Sequence, residues 1–295
     1  MAKQSLETIE RKRNLFAQRV LTLVLIFVAV FTVTYIVGLA ATRHNTRALV
    51  EPTETAAEET RSDSKKGGKK ESGEENGEEQ TTQPVESNGH TIYLTFDDGP
   101  GPYTEKLLAI LKEHDVKATF FVTHAIPKLE SVIKREYKEG HSVGVHSYSH
   151  NYEKIYVSSE AFWEDFNAMQ EVIVNQTGEE TKLMRFPGGS SNTISEKTTK
   201  GIMTQLVKEA GEKGLSYFDW NVASGDAAKN ISGSEVLQNC KVGAANHKNA
   251  LILCHDVKEY TVNVMDEFIT WAKENGYTFA ALTPESDGAH HLVKN

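Results

Sequence analysis

The sequence predicts an α/β protein built on a parallel sheet, and three observations carry that expectation. From residue 90 onward, short apolar, β-prone runs alternate with stretches of helical periodicity. Such alternation is the pattern of parallel strands joined by helical crossovers. About seven repeats fill roughly 195 residues, which fits a closed or nearly closed β/α barrel, with a doubly wound open sheet as the structural alternative. Ionisable residues also recur where the candidate strands end, the edge on which both folds carry their active sites.

Ahead of residue 90 the chain has a different texture. Residues 1–19 are polar and net basic, with Lys3, Arg11, Lys12, Arg13 and Arg19 against Glu7 and Glu10. Residues 20–41 follow, 22 residues without a formal charge, mostly Leu, Val, Ile, Phe and Ala. As a helix this run spans roughly 33 Å, enough for the hydrocarbon core of a bilayer. A cleaved signal peptide is the competing reading, since Gly38 and Ala40 offer small residues for cleavage, but its apolar core is normally about 7–15 residues. Basic residues before the span outnumber Arg43 and Arg47 after it. The expectation is a single-pass cell-membrane protein with a cytoplasmic N-terminus and the remainder outside.

Residues 42–89 read as a disordered extracellular linker. Residues 51–80 hold ten Asp or Glu and five Lys or Arg, and almost no large apolar side chain. Such a stretch cannot bury enough surface to offset its ordering entropy. A flexible chain of this length has an end-to-end span of roughly 35–40 Å. The net charge of −9 argues against a nucleic-acid partner, and no protein partner is predicted. Cys240 and Cys254 are the only cysteines. They lack a C-x-x-C spacing and make a poor zinc site; one disulfide or two buried thiols are both open.

Within residues 90–295, the expected catalytic domain, the strand candidates are Thr91–Phe96, Ala118–Val122, Ser142–His146, Leu183–Phe186, Ser216–Trp220, Ala250–His255 and Tyr277–Leu282. The first helix candidate, Tyr103–His114, carries Leu107, Leu108 and Leu111. The next, Pro127–Lys138, starts with Pro and stops before Gly140, the usual asymmetry of helix ends. Ser159–Thr177 carries Phe162, Phe166, Met169 and Ile173 at helical spacing. Ser195–Lys213, Ser232–Asn246 and Val257–Asn275 complete the helices.

The strand ends hold the chemistry. The first ends at Asp97-Asp98, and neighbouring side chains on a strand diverge, so the two carboxylates can do different jobs. The third ends at His146-Ser147-Tyr148-Ser149-His150. Rings at i and i+4 can share one cation if the segment begins a helical turn. With a carboxylate from a neighbouring strand they make a two-His, one-carboxylate set that leaves positions for water and substrate, as catalytic zinc and non-haem iron sites do. The fourth ends at Arg185-Phe186-Pro187-Gly188-Gly189, the fifth at Asp219-Trp220 and the sixth at Cys254-His255-Asp256.

Thr95–Pro100, His146–His150, Arg185–Gly189, Phe218–Trp220 and Leu253–His255 together resemble the five ordered motifs of the NodB-homology polysaccharide deacetylases, carbohydrate esterase family 4. The match covers roughly residues 90–285. The resemblance implies a distorted (β/α) barrel and metal-dependent removal of N-acetyl groups from amino-sugar polymers. Members anchored by one N-terminal helix act on peptidoglycan, as the membrane-anchored peptidoglycan N-acetylglucosamine deacetylases do. Chitooligosaccharide or an exopolysaccharide is the alternative substrate, and a surface glycan-binding protein without turnover the alternative function.

Carried over by resemblance, Asp98, His146 and His150 would hold one divalent metal, Zn²⁺ first, with Co²⁺ or Fe²⁺ as alternatives. Asp97 would be the general base, Arg185 its orienting partner and His255 the general acid. Trp220 and Leu253 would wall the acetyl pocket, and the Gly188 N–H would face the oxyanion. Two features depart from the family. Many relatives carry an aromatic residue where Gly188 stands. The carboxylate expected to assist the acid histidine falls in a stretch reading Ala223, Asp226 and Ala227, so Asp226 and Asp219 are both candidates to orient His255. His124 is expected to be a loop histidine. His90, His114, His141, His247, His290 and His291 are read as surface or local structural residues.

Overall fold

The computed structural model describes residues 87–295. The expected cytoplasmic tail, the membrane span and all but the end of the linker lie outside the described residues. Among the described residues no helix is long and apolar enough to cross a membrane.

Eight parallel strands form one sheet: β1 (Thr91–Asp97), β2 (Thr119–Thr123), β3 (Ser142–Ser147), β4 (Leu183–Met184), β5 (Ser216–Tyr217), β6 (Val222–Ala223), β7 (Asn249–His255) and β8 (Thr278–Phe279). The hydrogen-bonded order is β5-β4-β3-β2-β1-β7-β6, with β8 added to β1. The path ends at β5 on one side and β6 on the other, so the closed or nearly closed barrel expected takes the form of a curled half-barrel. Sequence periodicity reports strands and crossovers, but not whether the last strand finds the first.

Three expected strands are shorter than their sequence suggests. Ser216–Trp220 contributes only Ser216–Tyr217. The next two carbonyls, of Phe218 and Asp219, accept instead from the Arg185 guanidinium, each at 2.8 Å. Leu183–Phe186 pairs only over Leu183–Met184, where the chain turns out into a site loop. Tyr277–Leu282 pairs only over Thr278–Phe279. Strand β6 has two residues, too few to carry a period in the sequence.

The crossovers are helices α1 (Thr104–Glu113), α2 (Ser131–Lys138), α3 (Tyr152–Ile155), α4 (Ser159–Thr177), α5 (Ile202–Glu212), α6 (Gly233–Asn246), α7 (Glu259–Asn263) and α8 (Met265–Glu274). Helix α4 has its expected bounds. Its N-cap is Ser158, whose hydroxyl accepts from the Ala161 N–H at 3.2 Å, and it stops at left-handed Gly178. Helix α6 starts with a capping box between Ser232 and Glu235. The expected helix Ser195–Lys213 is broken: a short 3-10 turn, Ser195–Lys197, precedes α5, whose N-cap Gly201 is left-handed. Val257–Asn275 divides into α7 and α8 at Val264.

Side chains that alternate along β1 go to two cores. Ile92, Leu94 and Phe96 pack in a large cluster with the helices. Tyr93 packs instead in a smaller cluster of Phe121, Leu183, Phe218, Leu251 and Leu282. Cys240 and Cys254 are both buried and free, so the open disulfide possibility is not realised.

Register then positions the chemistry. Strands β1 and β7 pair over seven residues, from Thr91↔Asn249 to Asp97↔His255. Strands β2 and β3 run in register to Val122↔Val145 and then skip to Thr123↔Ser147. His146 is the extra residue of that irregularity, a device that re-aims a side chain beside a site.

Candidate active site

Asp98, His146 and His150 meet at the C-terminal ends of β1 and β3, and their ligand atoms all lie within 4.8 Å of one another. Asp98 Oδ1 is 3.5 Å from His146 Nε2 and 3.3 Å from His150 Nε2. This oxygen is buried and makes no hydrogen bond. A buried carboxylate oxygen facing two imidazole nitrogens, with no donor of its own, is a donor set suited to a divalent cation. His146 Nδ1 lies 2.8 Å from the Arg185 carbonyl, to which it donates, so the Nε2 lone pair faces Asp98. Burial holds His146 below its ordinary pKa, against the pull of Asp97 and Asp98, which favours the neutral, ligand-competent ring. Asp98 and His150 both have positive φ, 73° and 49°. Two of three members of the set are therefore in a region non-glycine residues rarely adopt.

On one flank stands Asp97. Its Oδ1 accepts from Arg185 NH1 at 2.8 Å, and its Oδ2 is 3.9 Å from His146 Nε2. Arg185 is fully buried. The same NH1 donates to Thr95 Oγ1 at 2.7 Å, Nε and NH2 reach the Phe218 and Asp219 carbonyls, and Cζ lies 4.3 Å above the Phe121 ring. Every nitrogen of the guanidinium is thus engaged, and the interior aromatic cluster is its floor.

On the other flank stands His255. Its Nδ1 lies 2.7 Å from Asp226 Oδ1, and its backbone N–H donates to Asp226 Oδ2 at 2.7 Å. Thr261 Oγ1 donates to the same Oδ2 at 2.9 Å. His255 Nε2 points toward the triad, 3.9 Å from Asp98 Oδ2. Burial pulls the His255 pKa down, but the hydrogen bond and charge of Asp226, with smaller pushes from Asp97 and Asp98, outweigh it, and the ring is pushed up to about 9. Asp226 is the mirror image: burial pushes it up, its bonds with His255 outweigh that, and it sits below its ordinary value.

Residues 85–207 match the polysaccharide deacetylase family. The chain is 36% identical over 214 residues to a peptidoglycan-N-acetylglucosamine deacetylase of Bacillus cereus, covering 70% of this chain and 75% of that relative. It is 32% identical over 195 residues to the peptidoglycan-N-acetylmuramic acid deacetylase PdaA of Bacillus subtilis, covering 65% of this chain and 70% of that one. Its fold is similar to the catalytic domain of a peptidoglycan N-acetylglucosamine deacetylase from Eubacterium rectale. That match has a TM-score of 0.69 and 48% identity, and covers 73% of this chain and 99% of the other.

The chain belongs to the polysaccharide deacetylase family.

In this deacetylase the two candidate orienters of His255 separate cleanly. Asp226 holds the imidazole. Asp219 does not: its Oδ1 accepts from Ser190 N at 2.8 Å, and its Oδ2 from Ser190 Oγ at 2.5 Å and from His291 N at 2.8 Å. Trp220 and Leu253 are both half-buried. Trp220 lies at the end of β5, with Arg185 Cζ 5.8 Å from its ring. Leu253 is two residues before His255 on β7 and pairs with Thr95, so it shares the interior face of Asp97 and His255. Gly188 has φ of 78°. A Cβ there would come 3.1 Å from the Tyr152 hydroxyl, so the Tyr152 ring occupies the side-chain space that Gly188 leaves.

Several site residues were not singled out from the sequence. Asp165, on α4, fixes the His146–His150 loop by accepting from Ser147 Oγ at 2.5 Å and from the Tyr148 and Ser149 N–H groups at 2.8 and 2.9 Å. Tyr152 stands edge-on to His150 with ring centres 5.4 Å apart. Burial first, then Asp98 and Asp97, push its phenol up to about 12. Asp256 is fully buried, and burial, with a smaller push from Asp98, raises it to about 7 against a hydrogen bond from Thr104. A Cβ on Gly99 would collide with its carboxylate, which makes glycine necessary there. His124 is more than a loop histidine: it stacks on Tyr148 at 4.5 Å and lies 3.5 Å from Glu130. His141 is the local structural residue of the two readings: it is buried, its Nδ1 accepts from the Ala118 N–H at 3.1 Å, and desolvation lowers its pKa to about 4. His291 contacts Trp220, as described below. The sequence signal for Asp165 was its helical period with Phe162 and Phe166, one step off the apolar stripe.

Proposed function

We propose that this deacetylase hydrolyses N-acetyl groups on the amino sugars of peptidoglycan, releasing acetate and leaving a free amine. The observation that carries the reading is the pair of flanks around one cation-binding set: a carboxylate held by Arg185 on one side, an imidazole held by Asp226 on the other. The named activities of the Bacillus and Eubacterium relatives support peptidoglycan over chitooligosaccharide or exopolysaccharide.

Asp98, His146 and His150 would hold one divalent cation, with Zn²⁺ the first candidate and Co²⁺ and Fe²⁺ the others. When bound, such a cation supplies Lewis-acid polarisation of the acetamide carbonyl and makes water more acidic. Arg185 fixes Oδ1 of Asp97 and leaves Oδ2 toward the triad, where it accepts a proton from the attacking water. The Gly188 N–H donates to the oxygen on which negative charge develops. The hydrogen bond and charge of Asp226 favour the protonated His255 ring. Its Nε2 delivers that proton to the sugar nitrogen as the C–N bond breaks, since an amide nitrogen leaves poorly without one. Trp220 and Leu253 bound the space for the methyl group.

We further propose that residues 20–41 anchor the protein in the cell membrane with residues 1–19 cytoplasmic, and that residues 42–89 tether the catalytic domain outside. The support is the uncharged apolar run and its basic N-terminal flank. Protease added outside intact cells should release residues 90–295 and leave the N-terminus; full protection would refute this orientation.

The deciding experiment measures acetate from peptidoglycan and from chitooligosaccharides with the full-length chain, before and after chelation and after Zn²⁺ or Co²⁺ is restored. Acetate that returns with the metal, and is lost in Asp97→Asn and His255→Ala, establishes the reaction and ranks the glycans. Folded, metal-loaded protein that binds glycan but releases nothing would favour the glycan-binding alternative.

A further inference from the structure

Residues 288–295 return to the site across the ends of β4 and β5, and His291 sits at the junction. Its Nε2 lies 2.7 Å from the Trp220 carbonyl and its Nδ1 lies 3.1 Å from Ser191 Oγ. One neutral tautomer satisfies both: Nε2–H donates to Trp220 and Nδ1 accepts from Ser191. The imidazole also packs edge-on to the Trp220 indole, with ring centres 4.6 Å apart at 80°. The backbone N–H of His291 donates to Asp219, which in turn holds Ser190. A Cβ on Gly189 would come 3.0 Å from the Trp220 ring and 3.1 Å from Asp219 Oδ1, so the turn and the indole are already in close contact.

The segment is fixed beyond His291 as well. Asn295 is largely buried; its Oδ1 accepts from Gly201 N at 2.6 Å, its carbonyl accepts from Thr204 N at 2.8 Å, and its Nδ2 donates to Ser195 Oγ at 2.8 Å. Ala289 accepts from Asp219 N at 2.8 Å. The imidazole is thus held from both sides along its own segment, and it touches the two loops that carry Gly188 and Trp220.

We infer that His291 is a positioning residue: by clasping Trp220 to the 187–192 turn, it sets the width of the acetyl-binding space. This rests on the deacetylase reading above. A positioning role differs from a bracing role in what it moves. A brace changes stability alone, whereas a displaced wall changes which acyl group fits. Discrimination by one methylene in such a space is worth about 10–200-fold, so it is readable.

The test uses the full-length, metal-loaded chain and glucosamine oligomers bearing N-acetyl or N-propionyl groups. His291→Ala should lower kcat/KM for the acetyl substrate about tenfold, part of the roughly 100-fold that a misplacement of about 1 Å can cost. The preference for acetyl over propionyl should fall at least threefold, with metal content unchanged. His291→Gln, which can restore the donor to the Trp220 carbonyl, should recover most of both. Ser191→Ala removes one link only and serves if His291→Ala fails to fold. Wild-type-like rate and acyl preference in folded His291→Ala and Ser191→Ala would overturn the inference. If wild-type protein releases no acetate, the deacetylase reading fails separately. The clasp then stands or falls on the Trp220 indole N–H resonance, which should shift in His291→Ala and whose constancy would sink it.

Discussion

The two flanks of the triad solve one problem in opposite ways. Asp97 is held by an arginine that is itself buried, hydrogen-bonded through all three nitrogens and seated on Phe121. His255 is held by an aspartate on the loop after β6, a strand of only two residues, helped by Thr261 from α7. In the proposed mechanism the first flank fixes a charge that accepts a proton, and the second raises the affinity of a ring for the proton it gives away. One is built by packing, the other by a charge-assisted hydrogen bond, and the difference dictates how each should fail.

The harshest way to break the comparison is at the packed flank. Asp97→Asn should lower kcat by about 10²–10⁴-fold while bound metal, measured by elemental analysis, is retained. Arg185→Met should cost roughly 3–5 kcal/mol in chemical denaturation, because it leaves the Asp97 carboxylate buried without its partner. On the opposite flank, Asp226→Asn should act through the proton. In metal-free protein, NMR titration should find the His255 ring near 9 in wild type and clearly lower in the variant, where only the charges of Asp97 and Asp98 still oppose burial. An unchanged titration would show that Asp226 is not the group that raises it. The smallest effect expected is Thr261→Ala, which removes one donor to Asp226 and should cost about 1 kcal/mol in stability.

The same pair shapes stability against pH. The His255 pKa is raised on folding, so its contribution is complete below the unfolded value of about 6.5. It is lost as the pH climbs toward the folded value of about 9. Asp226 is shifted down, so its contribution is present above the ordinary aspartate range and is lost as the pH falls through its lowered value. Denaturation midpoints of metal-free wild type and Asp226→Asn should therefore differ most between the ordinary aspartate range and about pH 6.5, and approach each other as the pH rises toward 9.

The packed flank was also the legible one. Asp97, Asp98, His146, His150 and Arg185 lie at the ends of runs whose composition marks them as strands, and their ligand-like spacing is local. The acid flank was half legible: the sequence offered Asp219 and Asp226, and only the pairing of β6 with β7 at Ala223↔Leu253 brings the second beside His255. His291 was read only as a surface or local structural residue because its partners Trp220 and Ser191 lie 71 and 100 residues away. The degree of barrel closure was left open for a related reason: it depends on whether β5 and β6 meet, which neither periodicity nor turn residues encode. The shortened β5 failed because a side chain, Arg185, takes the carbonyls a neighbouring strand would have used.

The seven-residue pairing of β1 with β7 has one more consequence. Asp97 and His255 are the last rungs of the same ladder, so the backbones that carry the proposed proton acceptor and donor stand one strand spacing apart, about 4.8 Å. That interval is a ruler cut into the main chain. Loop changes can alter which sugar arrives without recalibrating it. A single inserted residue within β1 would instead exchange Phe96 for Asp97 on the interior face, and no adjustment of side chains could restore the mark.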